Sequence, residues 1–346
     1  MYEHYYGLRE RPFDLSSNTK FLFLSPQHHE ALTHLRYGLS GRPGITLLVG
    51  EAGMGKSTLV RAALGSLPGT GSKIVLLSNP TLTRGEFYEF LAREFGLTSE
   101  AAASKTRFLQ ELKQAIDAAA IEGGILGLIV DEAQSVPFEL LEELRLLTNA
   151  EGASGRALTL VLVGQPELSA RLEDATLRQL KQRVALRTEL RPFGLKETAG
   201  YIAARITIAG GRADALFTRD AVIAIHDGAK GLPRTISVIC DNALVSGFAI
   251  DQRPVGRAVI AEVARDFDFA APRRQDAGSG DGMSVVARIS ADAAEAVKLR
   301  PVSHRLLAPA VPLGRHALPE EGPAPANTGG AVRRGLWSLF ARTANR

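Results

Sequence analysis

Cysteine is nearly missing: Cys240 is the only one in 346 residues, and it sits in an apolar, helix-like context. A single thiol excludes a disulfide framework and a cysteine-rich metal centre, and it suits a reducing compartment. Long apolar runs are missing too. The longest lie around 45–49, 125–130 and 157–163, far short of the ~20 residues a bilayer-spanning helix needs. The opening stretch, "MYEHYYGLRERPFDL", has no basic region followed by an apolar run, so no secretory leader is expected. A cytoplasmic location is the resulting expectation. A large excess of one sign of charge is lacking as well. The net charge is +4, but residues 271–346 carry 11 Lys and Arg against 6 Asp and Glu, which leaves 30 against 31 for residues 1–270. A near-neutral folded part argues against a nucleic-acid-binding core, which is more often basic.

What is present is an ordinary globular composition, 45% hydrophobic and 23% charged, in a chain long enough for two or three domains. Three regions separate. From 1 to 193, the apolar runs "ITLLV", "KIVLLS", "ILGLIVD", "LTLVLVG" and "VALRTEL" alternate with helical patterns. Continuous Val, Ile and Leu between helices read as buried parallel strands of an α/β sheet. From 194 to 268 the strand-like runs stop. "LKETAGYIAARI", "TRDAVIAIHDGA" and "LPRTISVICDNALVSGFA" space their apolar residues by three and four, as in a small helical domain. From 269 to 346 the pattern fails and seven of the seventeen prolines accumulate. Such a segment buries too little apolar surface to offset ordering entropy, and disorder is expected. No internal repeat is evident.

Gly50-Glu51-Ala52-Gly53-Met54-Gly55-Lys56-Ser57 matches G-x-x-x-x-G-K-[ST] at every fixed position. It stands between the run "ITLLV" and a helical pattern opening at "KSTLVRAAL", with Thr58 continuing into that helix. Glycines let successive backbone N–H groups turn inward around phosphates, and the helix N-terminus adds partial positive charge. Lys56 would reach the β- and γ-phosphates, while the Ser57 hydroxyl would ligate Mg²⁺. In "ILGLIVDEAQS" an apolar strand ends in two acids. Asp131 would hold Mg²⁺ beside the phosphate loop, and Glu132 would polarise the attacking water as general base. ATP and Mg²⁺ are therefore the expected cofactors. The run "KIVLLS" intervenes between these strands in sequence. That insertion, with a glutamate after the aspartate and no arginine-rich acceptor lid, favours hydrolysis over phosphoryl transfer to a small molecule. The expected fold is thus a P-loop αβα sandwich of the additional-strand type, followed by a helical lid.

Gln165, before Pro166 at the end of "LTLVLVG", can touch a γ-phosphate or the attacking water, or simply form a turn. In "LRQLKQRVALRTEL", one of Arg178, Lys181, Arg183 and Arg187 could reach a neighbouring subunit's γ-phosphate, or all could serve solubility. In "GLPRTISVI", Pro233 opens a helix and puts Arg234 in its first turn, where a cation is locally unfavourable and so invites a task at the nucleotide. Tyr5, Tyr6, Pro12 and Phe13 form an apolar cluster that could cover a base or seal the domain. Ser25-Pro26 is a helix start, and His28, His29 and His34 read as surface or core histidines rather than ligands.

Together these elements resemble the AAA+ ATPases. More narrowly, "YYGLRERPFDL", "FLFLSPQHHEAL", "GEAGMGKSTLV", "IVDEAQ", "LRLLTN", "LVGQPEL", "LRQLKQRV" and "GLPRTISVICDNAL" resemble the general secretion pathway protein A (ExeA-type) ATPases over residues 1–268. The resemblance implies that Gln165 is sensor 1, Arg234 is sensor 2, Arg178 or Arg183 is a finger in trans, and the N-terminal segment packs over adenine. It also implies an oligomer and a partner in an envelope secretion or exopolysaccharide-export system. Members of that family typically continue into a transmembrane helix and a peptidoglycan-binding domain, and neither is visible in this sequence. Instead "AVRRGLWSLFAR", within 331–346, could rest on an anionic membrane surface, dock on a membrane partner, or be an unstructured end. A DNA-associated ATPase of the transposition or replication-regulator type is the alternative function, and a nucleotide-dependent scaffold a third.

Overall fold

The computed structural model describes residues 1–16, 18–40, 44–67, 71–78 and 80–267. The expectations for 269–346, including a membrane or partner contact through 331–346, lie outside those residues. The five apolar runs form strands β1 (Ile45–Gly50), β2 (Lys73–Leu77), β3 (Leu126–Val130), β4 (Thr159–Gly164) and β5 (Val184–Leu190). All pairings are parallel, in the order β2-β3-β4-β1-β5. β2, the strand that intervenes in sequence, takes an edge. β4 is the strand that separates β1 from β3 in space.

Because every residue of β1, β3 and β4 is buried, side chains alternate between two helical layers. Ile45, Leu47, Val49, Leu128, Val130, Leu160 and Leu162 face one layer. It is built from α4 (Arg84–Phe95), α5 (Ser99–Ala103), α6 (Lys105–Ile121), α7 (Phe138–Leu147), α8 (Pro166–Leu172) and α9 (Arg178–Lys181). Leu48, Ile129, Val161 and Val163 face the other, which holds α2 (Pro26–Gly38) and α3 (Lys56–Leu64). Each fully buried Leu, Ile or Phe here is worth about 1.5–3 kcal/mol. The start of α2 follows its sequence signature, with Pro26 in the first turn and the Ser25 hydroxyl accepting from the His28 N–H. α4 opens on a capping box between Thr83 and Glu86.

A second core gathers α10 (Leu195–Ile208), α11 (Ala213–Leu216), α12 (Arg219–Ala229), α13 (Pro233–Ala249) and α14 (Arg257–Asp266). The N-terminal residues join this core: Tyr2 and Tyr6 of α1 (Tyr2–Tyr6), with Leu8, Phe13 and Phe21, are buried in it. The Tyr5 hydroxyl donates to Asp251 over 2.8 Å and that of Tyr6 to the Gln252 carbonyl over 3.2 Å. Arg205, buried on α10, donates to the Pro12 carbonyl (2.5 Å), the Asp14 carbonyl (2.9 Å) and the Tyr201 hydroxyl (2.7 Å). Its guanidinium also lies over the rings of Phe21 and Tyr201. The aromatic cluster at the N-terminus therefore seals the helical region.

Candidate nucleotide-binding site

The phosphate loop leaves the inner strand β1 at Gly50 and returns as α3. Gly53 and Gly55 adopt φ of 83° and 87°, the left-handed region that costs glycine little, and Gly55 caps α3. Glu51 and Ala52 are exposed and Thr58 is half-buried, whereas Met54 is fully buried in the core under α2 and α3. The variable position before the second glycine thus anchors the loop. The Lys56 ammonium folds back on the loop, donating to the carbonyls of Gly50 (2.7 Å) and Glu51 (3.0 Å). Its burial pulls its pKa below the ordinary lysine value, against the opposing pull of Glu132 and Asp131.

Asp131 follows β3, two strands away from β1, and still reaches the loop. The Ser57 hydroxyl donates to its Oδ2 over 3.0 Å. Glu132 stands in the left-handed region at φ 52°, which is uncommon for glutamate. Its N–H donates to Asp131 Oδ1 over 2.9 Å. Its Oε2 accepts from the amides of Gln134 (2.6 Å) and Gln165 (3.2 Å). These donors, Gln134 foremost, hold the carboxyl below the usual carboxylate pKa despite partial burial. Gln165 comes from the end of β4, between β1 and β3, and its N–H donates to Gln134 Oε1 over 3.0 Å. Gln134 thus ties Glu132 and Gln165 into one unit. A Cβ on Gly164 would lie 2.9 Å from Gln134 Oε1, so the glycine makes room for that amide. Sequence reasoning passed over Gln134. Its only signal was its place in "DEAQ", two residues after the acid.

The helical region meets the loop at α13. The Arg234 N–H donates to the Gly53 carbonyl over 3.2 Å, and a Cβ on Gly53 would lie 2.7 Å from Arg234 Cβ. The Arg234 side chain is exposed and makes no hydrogen bond or ion pair among the described residues. Gly231 explains the rest of the "GLPR" motif. At φ 75° a Cβ there would lie 2.2 Å from the Phe193 carbonyl, and the Phe193 N–H donates to the Gly231 carbonyl over 2.9 Å. Only glycine fits this crossing, which fixes where α13 begins.

Arg171 donates to the Gln134 carbonyl, whereas the candidate cations Arg178, Lys181, Arg183 and Arg187 make no bond to these residues among those described. Arg178 is exposed without a partner among the described residues. Arg183 donates to the Asn149 side chain, Arg187 donates to Ser169 over 3.2 Å, and Lys181 pairs with Glu173. His28 is buried against the loop, while His34 sits 2.6 Å from the Thr188 hydroxyl. Among the described residues no cluster of three or more His, Cys, Asp or Glu could hold a metal ion, and no helix is long and apolar enough to cross a membrane.

A strand–phosphate loop–helix unit on a parallel sheet, with a helical region over it, defines a class. An AAA domain is recognised over residues 39–172, from the end of α2 to the end of α8, so this part of the chain is an AAA domain. Within that class it is a relative of General secretion pathway protein A of Aeromonas hydrophila, to which it is 39% identical over 249 residues. The match covers 72% of this chain and 45% of that protein, so the chain spans less than half the length of this relative. Two solved structures share the fold. The Aeropyrum pernix ORC2 protein, solved as ADPNP–ADP complexes, is 18% identical with a TM-score of 0.51, covering 76% of this chain and 73% of its own. Cdc6p of Pyrobaculum aerophilum is 16% identical with a TM-score of 0.54, covering 74% of this chain and 70% of its own.

Proposed function

We propose that this chain binds and hydrolyses ATP with Mg²⁺, as an oligomer, and that it serves an envelope secretion or export assembly. One observation carries the catalytic part: the carboxyl edge of β1, β4 and β3 brings Lys56, the Ser57–Asp131 pair, Glu132 and Gln165 to one place, under the exposed Arg234. In this reading Gly50 to Thr58 cradle the phosphates with backbone N–H groups and the positive end of α3. Lys56 exchanges two neutral carbonyls for phosphate oxygens, a gain that offsets its buried charge.

Ser57 and Asp131 suit Mg²⁺, a hard ion that takes a few protein oxygens and completes its shell with water and phosphate. When bound, it neutralises charge on the phosphates. Glu132 takes the proton from the attacking water. Its Oε2 is engaged by amides, which leaves Oε1 for the water. Gln165, drawn to a γ-phosphate, gives up its bond to Glu132, and a carboxylate with fewer donors is the stronger base. Arg234 steadies the phosphates from the helical region, and Arg178, the freer of the two candidate fingers, serves a neighbouring subunit.

The export assignment rests on the likeness to General secretion pathway protein A, and the partner is a protein of such a system. A DNA-associated role takes only a shared fold from ORC2 and Cdc6p, and the near-neutral charge of residues 1–270 disfavours it. The test is phosphate release from ATP with and without Mg²⁺. Turnover is expected only with Mg²⁺, and Lys56→Ala is expected to abolish nucleotide binding. Binding by Lys56→Ala at wild-type affinity would contradict the loop's role.

A further inference from the structure

His28 belongs to "SPQHHEAL", a stretch that the proposed chemistry leaves without a task. The residue is 3% exposed, with ring Nε2 3.0 Å from the Met54 carbonyl and Nδ1 2.8 Å from the Ser25 hydroxyl. The Phe193 ring centroid lies 5.2 Å away. The donor count settles the tautomer. A carbonyl can only accept, so Nε2 carries the proton toward Met54, and the neutral ring's Nδ1 accepts from Ser25. Burial pulls the His28 pKa below its ordinary value, which keeps the ring neutral.

Met54 and Gly55 share one planar trans peptide, in which the C=O and the N–H point in opposite directions. Holding the Met54 carbonyl against His28 of α2 turns the Gly55 N–H away from His28. Gly55 at φ 87° has little side-chain restraint of its own to hold that plane.

We propose that His28 is a positioning residue of the phosphate loop: by anchoring the Met54 carbonyl it aims the Gly55 N–H at the nucleotide's phosphates before they arrive. The inference rests on the ATP-binding reading above and assigns one orienting contact within it. His28 touches no substrate. It lowers the cost of ordering the loop, the usual advantage of a preorganised site.

The two ring nitrogens can be tested separately. A glutamine amide reaches as far as Nε2 and can still donate to Met54. An asparagine amide reaches only as far as Nδ1 and keeps the Ser25 contact alone. Calorimetric titration of the full chain with Mg²⁺–ADP, with melting temperatures recorded alongside, compares wild type, His28→Gln, His28→Asn and Lys56→Ala. His28→Gln is expected to bind close to wild type. His28→Asn is expected to bind roughly ten- to a hundredfold more weakly, the effect of one buried polar group losing its partner. Equal affinities for the Gln and Asn variants would overturn the proposal, even if both melt lower, because a merely structural histidine shifts stability without that split. Should His28→Asn not fold, His28→Leu replaces it, since leucine fills much of the ring's space and donates to neither partner. Weaker ADP binding is then expected, and wild-type binding overturns the idea. Wild-type protein that takes up no ADP would instead sink the nucleotide reading itself.

Discussion

Two amide groups tether the carboxylate of Glu132, and one of them belongs to Gln134, two residues past the acid. Gln134 donates to Glu132 and accepts from the Gln165 backbone, so a single side chain sets the distance between Glu132 and Gln165. Gln134→Leu keeps the volume and removes both bonds. Turnover should then fall about tenfold, roughly the effect of one lost hydrogen bond, with KM for ATP little changed, because Lys56 and the loop backbone, which carry most of the phosphate contacts in this reading, are untouched. Steady-state kinetics check this, and a raised KM at unchanged turnover would place Gln134 in binding instead. Gly231 makes a different point. Gly231→Ala must strain a left-handed backbone, at about 1–3 kcal/mol, and push against the Phe193 carbonyl as well. A lower melting temperature together with weaker nucleotide binding is expected, since the crossing fixes Arg234 over Gly53. A drop in stability with wild-type binding would uncouple the crossing from the site. Lys56, Ser57, Asp131 and Glu132 were legible because loop and strand motifs bind residue type to position. Gln134, His28 and Gly231 were not, because their tasks depend on partners 26 to 38 positions away in the chain.

At the scale of elements, β1, β3 and β4 were legible as uninterrupted apolar runs, since a strand covered on both faces must be apolar throughout, while the edge strands β2 and β5 carry exposed residues such as Lys73, Arg187 and Glu189. The helices of the second core were legible from their three- and four-residue spacing. The order of the strands was not, because β2 and β4 look alike as sequence and only the crossovers distinguish edge from centre. The destination of the N-terminal aromatics was also open. Their spacing shows an apolar cluster but not its receptor, and it is the buried Arg205 that binds residues 12–14 to α10. Arg205→Met fills the space without donating. It leaves two backbone carbonyls and the Tyr201 hydroxyl short of a donor, and the loss should be about 3 kcal/mol. Denaturant unfolding checks the figure, and limited proteolysis should cut first near residue 15. An N-terminal segment as protected as in wild type would show that the aromatic packing alone suffices.

At the scale of the whole molecule, Arg178 has no partner within its own chain among the described residues, while Arg183 is occupied by Asn149. If Arg178 completes a neighbour's site, specific activity should rise with protein concentration. Arg178→Ala should lose about 10³-fold in turnover, as for other fingers supplied in trans. Mixing Arg178→Ala with Glu132→Gln should restore part of that activity at the mixed interfaces. Full activity in a monomer, established by sedimentation, would remove the finger.

The central claim is that the edge of this sheet hydrolyses ATP through Glu132. The most direct measurement is phosphate release at saturating Mg²⁺–ATP by wild type and by Glu132→Gln, with bound nucleotide quantified in both. Wild type should turn over. Glu132→Gln should fill to the same occupancy and release phosphate about 10²- to 10⁴-fold more slowly, the range a general base contributes. Equal rates from the two proteins at equal occupancy would contradict the account.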